Sequence, residues 1–173
     1  PKYVGVVGTI GQYVHGNQPS HHVAYLYNYA GQPWKTQQRA RQVCEELYRT
    51  GPGGICGNED MGSLSSWYAL SAMGFYPVTP GSTSYSIGSP LFGEVIINVD
   101  DNKMFTIKTL NNSKENKYIQ SATLNGESMN RTWISHEEIT AGGKLVFEMG
   151  AEPNKKWGTG KNDMPFSMSG GGK

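Results

Sequence analysis

Gly57-Asn58-Glu59-Asp60-Met61-Gly62-Ser63-Leu64-Ser65-Ser66-Trp67-Tyr68 places two adjacent carboxylates in a glycine-rich loop, directly ahead of an apolar segment. The segment reads as a helix over about residues 61–74, with Leu64, Trp67, Tyr68 and Ser71 on one face and Ala69, Leu70 and Met73 on the other. Apolar residues on both sides predict a helix buried by neighbours in two directions. Asp60 therefore has two readings. It can cap the helix, its carboxylate accepting a free N–H of the first turn. It can also serve as a general base, aimed by the helix that follows the loop. The two are compatible, because a helix N-terminus favours an anion.

Working backward, residues 33–49 read as a second helix, opened by Pro33 and stopped by Gly51-Pro52. Ala40, Val43, Cys44, Leu47 and Tyr48 form its apolar stripe, and Lys35, Gln38, Arg39, Gln42, Glu45 and Glu46 its wet side. Before it, Pro19 to Gly31 predicts one more helix, apolar nearly all round. The connection between these two is short, which predicts antiparallel neighbours. Residues 1–18 read as an irregular, buried approach segment.

Working forward, Pro77, Pro80 and Gly81 end the helical pattern, and from Tyr85 the period becomes two. Glu94–Val99, Met104–Thr109, Tyr118–Leu124 and Lys144–Met149 read as strands, with Asn125-Gly126 a strong hairpin signal. A helical turn is expected near Glu137. The tail, residues 154–173, reads as loose, with Trp157, Met164 and Phe166 able to dock it. The fold class is α+β: helices over residues 1–79, then a small antiparallel β-sandwich lobe over residues 80–173.

Composition bounds the function. The 173 residues carry a net charge of +1, so no basic surface argues for nucleic acid. Hydrophobic content is 36%, charged content 17%, and Gly counts 23, a loop-rich globular balance. No run approaches the roughly 18 apolar residues of a membrane span. No signal peptide opens the chain, and Pro1 is an unusual first residue, which predicts a piece of a longer protein. Four Trp and ten Tyr fit core packing, or sugar binding through flat apolar ring faces. Two cysteines, Cys44 and Cys56, make no disulfide scaffold. Cys44 reads as inert core, while pairing of Cys56 stays open.

A second dense stretch is Tyr13-Val14-His15-Gly16-Asn17-Gln18-Pro19-Ser20-His21-His22. Its three histidines match no zinc spacing, and no CxxC or HExxH accompanies them. Asn17 and Gln18 offer neutral oxygens at a turn, a donor type suited to calcium. The alternative is that one of them caps the helix and the histidines bond within the core. A glycosidase of the inverting kind needs two carboxylates roughly 6.5–9.5 Å apart. Here Asp60 is a credible base, and no partner acid is evident. Asn111-Asn112-Ser113 and Asn130-Arg131-Thr132 match the short glycosylation pattern.

Taken together these blocks resemble glycoside hydrolase family 92. The resemblance is carried by His15-Gly16-Asn17-Gln18-Pro19-Ser20-His21-His22, Ala24-Tyr25-Leu26-Tyr27, Gly31-Gln32-Pro33-Trp34, Gly57-Asn58-Glu59-Asp60-Met61-Gly62, Ser66-Trp67-Tyr68, Gly74-Phe75-Tyr76-Pro77 and Ile87-Gly88-Ser89-Pro90. It continues to Gly143–Gly150. The family consists of calcium-dependent exo-acting α-mannosidases that invert the anomeric centre, many cutting α-1,2 linkages of N-glycans. The resemblance implies that this chain is a C-terminal part: the last helices of an (α/α)6 toroid and the closing strands. It implies Asp60 as the catalytic base, with Asn58 standing where some members have a second acid. It places Asn17 and Gln18 in the calcium region, where relatives often have Glu in place of Gln18. His15, His21, Trp67 and Glu59 become candidate substrate-site groups. The general acid lies upstream, so the isolated chain is expected to be inactive without the rest of its parent chain. Mannose-containing oligosaccharide is the expected ligand, and a secreted, periplasmic or cell-surface location follows from the same resemblance. The competing readings are a non-catalytic carbohydrate-binding module in the β lobe and a structural domain whose aromatics are all core.

Overall fold

The computed structural model describes residues 7–168. A small hairpin, β1 (Thr9–Ile10) and β2 (Tyr13–Val14), opens it. Two 3-10 turns, Gln18–Ser20 and Val23–Tyr25, lead into α1 (Leu26–Tyr29). Then come α2 (Pro33–Leu47) and α3 (Ser63–Met73). The strand-rich half follows: β3 (Phe75–Tyr76), β4 (Ser84–Ile87), β5 (Glu94–Asp100), β6 (Lys103–Leu110), β7 (Tyr118–Leu124), β8 (Glu127–Ser128), β9 (Trp133–Ser135), α4 (His136–Thr140) and β10 (Gly143–Gly150).

The mixed α+β class holds, with three corrections. The single helix expected from Pro19 to Gly31 is broken into two 3-10 turns and one α-helical turn. Val23, Tyr25, Tyr27 and Tyr29 are poor helix formers. Asn28, fully buried, also spends its Nδ2 on Ile87 O at 2.8 Å and Thr132 O at 3.3 Å instead of facing solvent. Second, the large sheet is not purely antiparallel. Its order is β5-β6-β10-β7-β8, and β10 runs parallel to β6 while antiparallel to β7. The chain leaves for β9 in the other sheet, turns through α4, and re-enters between β6 and β7. Third, much of the tail is docked. Trp157 is buried and donates its Nε1–H to Met129 O at 3.0 Å, and Thr132 N donates to Asp163 O at 2.7 Å. Phe166 stays exposed.

The second sheet, β3-β4-β9, faces the first across one core. Phe75, Ile87 and Ile134 from it meet Phe105, Ile107, Ile119, Leu145 and Phe147 from the larger sheet. The alternation on β5 turns Val95, Ile97 and Val99 toward that core. The β3–β4 hairpin spans residues 79 and 80, so the helical and strand-rich parts meet inside it.

Buried polar side chains fasten the two parts. Arg41 on α2 donates to Ser89 Oγ at 3.2 Å, to Asn112 Oδ1 at 2.8 Å and to Pro90 O. Gln37 Oε1 accepts from Ile119 N at 3.0 Å. A second core, of Tyr25, Ala40, Val43, Cys44 and Trp67, lies between α2, α3 and the 3-10 turns. Both cysteines are free thiols, and burial pushes Cys44 up to about 12.

Candidate active site

The N-cap of α3 is Gly62, in the left-handed region at φ +83°, with no side-chain cap. Asp60 is therefore not the cap. The carboxylate that reaches the helix is Glu59, whose Oε1 accepts from Ser65 N at 3.3 Å. Its Oε2 is buried without a partner among the described residues. Asp60 and Met61 also lie at positive φ, +33° and +60°, so three consecutive residues take left-handed backbone. Asp tolerates this better than most residues, whereas Met does not. Ser63 N closes the turn by donating to Glu59 O at 2.7 Å and Asp60 O at 3.3 Å. Both Asp60 and Met61 are solvent-exposed.

This loop lies against the turn that carries Asn17 and Gln18. Asn58 N donates to Gly16 O at 3.2 Å, and Gln18 Nε2 donates to Asn58 O at 2.9 Å. The approach is so close that a Cβ on Gly57 would lie 2.3 Å from Gly16 O. Forty residues apart in sequence, the two dense stretches form one surface. Asn17 is exposed and Gln18 half-buried. Neither side chain caps the 3-10 turn that Asn17 precedes.

Behind that surface stands an aromatic layer. His15 is fully buried, with Nδ1 2.7 Å from Tyr13 Oη and Nε2 2.6 Å from Tyr48 Oη. His21, also buried, bonds through Nε2 to His15 O at 3.1 Å. Trp67 is fully buried and donates its Nε1–H to His21 O at 3.0 Å. The rings of His15 and His21 stack at 4.8 Å, and His15 meets Trp67 edge-on at 4.3 Å. Burial, with His21 beside it, lowers His15 to about 3, and burial lowers His21 as well. Both imidazoles are thus neutral near pH 7.

Of the seven residues singled out in the sequence, Asp60, Asn17 and Gln18 lie on the shared surface. Glu59 braces its loop. His15, His21 and Trp67 are buried beneath it, with both ring nitrogens of His15 and the indole N–H of Trp67 already hydrogen-bonded. One supporting residue carried no site signal in the sequence: Tyr48, which read as part of a helix stripe. Only the pairing of His15 with a hydroxyl 33 positions away reveals Tyr48.

The sequence profile described as the glycosyl hydrolase family 92 catalytic domain matches residues 4–151. The chain belongs to that family of glycoside hydrolases. An uncharacterized secreted glycosidase of Arthroderma benhamiae is 40% identical over 159 residues, 90% of this chain and 20% of that protein. A family 92 alpha-mannosidase from Bacteroides thetaiotaomicron, in complex with mannoimidazole, superposes with a TM-score of 0.91 at 37% identity. The match covers 95% of this chain and 22% of that one. A family 92 inverting mannosidase from the same species gives a TM-score of 0.87 at 48% identity, over 92% of this chain and 22% of that one. The chain thus spans about a fifth of the length of the relatives it matches. Among the described residues, no helix is long and apolar enough to cross a membrane.

Proposed function

We propose that this chain forms the C-terminal part of an inverting exo-α-mannosidase acting on α-mannosides, with α-1,2 linkages of N-glycan type the preferred class. One observation carries the reading: an exposed aspartate in strained backbone, hydrogen-bonded through its loop to a turn of neutral oxygen donors. Strained positive-φ backbone at a non-glycine residue points to function when the surroundings hold it there. Asp60 takes the proton from the water that attacks the anomeric carbon. The acid that protonates the leaving oxygen comes from upstream of this chain. The helical segments complete a toroid with that upstream part. Secretion agrees with the naming of the Arthroderma relative.

The donor set fits calcium in kind. Among the described residues, no group of three or more His, Cys, Asp or Glu could hold a metal ion, so a site here would draw on neutral oxygens as well as any single carboxylate. Gln18 commits its Nε2 to Asn58 O, leaving its Oε1 free beside the exposed Asn17. Asn17 and Gln18 would supply part of the six to eight oxygens such an ion takes. When bound, calcium supplies Lewis-acid polarisation of the sugar hydroxyls. His15, His21 and Trp67 hold the turn beneath rather than touch the sugar.

The test is Asp60→Asn in the full-length protein, assayed on an α-mannoside with product anomers followed by NMR. The wild type should release β-mannose first. The variant should lose roughly 10²–10⁴ in kcat, the range for a general base. An unchanged kcat, or α-mannose as first product, would overturn the reading. The isolated 173-residue chain should show no turnover.

A further inference from the structure

The bonds around His15 fix more than its burial. Tyr48 Oη donates its one proton to Leu64 O, at 3.1 Å. A phenol has a single proton to give. The 2.6 Å contact with His15 must then run the other way, from Nε2–H to Tyr48 Oη. Among the described residues no carboxylate bonds to either ring nitrogen, and the ring is fully buried, so it is neutral and Nδ1 carries a lone pair. Tyr13 Oη donates to that lone pair at 2.7 Å. The directed string is Tyr13 to His15 to Tyr48 to Leu64.

The ends of this string matter. His15 precedes Gly16, whose carbonyl receives Asn58 N. Leu64 lies in the first turn of α3, beside Ser63, whose N–H holds the carbonyls of Glu59 and Asp60. The string therefore closes, from beneath, the same pair of segments that Asn58–Gly16 and Gln18–Asn58 close at the surface. We propose that His15 is a positioning residue, locked by Tyr48 as the Nε2–H tautomer, which makes the Gly16–Gln18 turn and the Asp60 loop move as one body. Its catalytic consequence rests on the mannosidase reading above, whereas the coupling itself does not.

Tyr48→Phe deletes one oxygen and keeps the ring that stacks on Trp67 at 6° and contacts Tyr68. Three readouts apply. In the wild-type chain, two-bond ¹H–¹⁵N correlations of ¹⁵N-histidine should show His15 protonated at Nε2 with a slowly exchanging proton. In Tyr48→Phe, deuterium uptake in peptides covering 14–20 and 56–62 should rise together by at least fivefold, while Tyr68→Phe leaves both unchanged. In the full-length enzyme, Tyr48→Phe should lower kcat on a mannoside about tenfold and shift KM less, as loss of a supporting bond around a site does. A wild-type Nδ1–H tautomer, or uptake that rises in one segment or in neither, overturns the proposal. If Tyr48→Phe does not fold, the wild-type tautomer decides. Absence of mannoside turnover by the wild type would sink the functional reading alone and leave the tautomer and exchange results to judge the coupling.

Discussion

Gly57→Ala is the sharpest test of the contact that brings the two loops together. Gly57 does not lie in the left-handed region, so alanine meets no backbone penalty there. The obstacle is steric. The added Cβ would sit 2.3 Å from Gly16 O, 2.4 Å from Gly16 Cα and 2.7 Å from Gly16 C, all backbone atoms. Restoring ordinary contact requires the loops to part by about 1 Å. That movement breaks the bond from Asn58 N to Gly16 O, already long at 3.2 Å, and strains the one from Gln18 to Asn58. Overpacking of this kind costs about 1–3 kcal/mol, and a surface loop that can yield belongs at the low end. The catalytic loss should be larger in effect, because a misplacement of ~1 Å can lower a rate about 10²-fold. The assays are the urea midpoint and mannoside hydrolysis by the full-length protein. Gly93→Ala is the control, since its Cβ would meet nothing within 4 Å and its φ is not positive. The reasoning fails if Gly57→Ala matches Gly93→Ala in both midpoint and kcat.

Three further outcomes are expected. Below pH 6.5 the unfolded chain takes up a proton at His15 that the folded chain refuses until about pH 3, so stability is full above that window and falls as pH drops through it. The loss should steepen to about 1.4 kcal/mol per pH unit once the pH is roughly a unit below 6.5, with His21 acting in the same direction, and His15→Gln should flatten the slope of stability against pH. Asn125→Ala should destabilise by about 1–2 kcal/mol in a thermal melt, losing the bond from Lys144 N to Asn125 Oδ1 at 2.8 Å and placing alanine at φ +53°; an unchanged melt would count against the turn. Met61→Gly should raise the unfolding free energy by up to about 1 kcal/mol, and the urea midpoint with it, because glycine suits φ +60°, yet lower kcat by freeing the loop. A midpoint that falls would show that the exposed Met61 side chain contributes more than its backbone strain costs.

The elements visible in the sequence were those whose signal is local. The apolar stripe and the proline and glycine stops delimit α2, which ends two residues short of expectation at Leu47. Alternation delimits β7 at Tyr118–Leu124, as expected. The insertion of β10 beside β6 was not legible, because pairing partners are chosen by a core assembled from distant segments. Nor were β3, β4 and β9, since strands of two to four residues show too few alternations to count. The site divides in the same way. Asp60 announced itself through its loop and the helix after it, and Asn17 and Gln18 through their turn. Their adjacency depends on Gly16 and Gly57 lying backbone to backbone, a contact that leaves only two ordinary glycines in the sequence. The supporting role of His15 depends on two hydroxyls, one of them just past the end of α2.

The strain in the Asp60 loop and the stiffness beneath it are two halves of one arrangement. Left-handed backbone at Asp60 and Met61 costs on the order of 1–2 kcal/mol per residue if nothing offsets it. A free surface loop would relax. Here the turn is held by Ser63 N on the carbonyls of Glu59 and Asp60, by Ser65 N on Glu59 Oε1, and by Asn58 on the Gly16 turn. That turn rests in its own right on His15, His21 and Trp67, all shut away from solvent. Rigid aromatic packing is thus spent under a short exposed segment instead of in a larger core. Its effect is to keep one carboxylate and two amide groups in fixed relation while leaving all three outside the core.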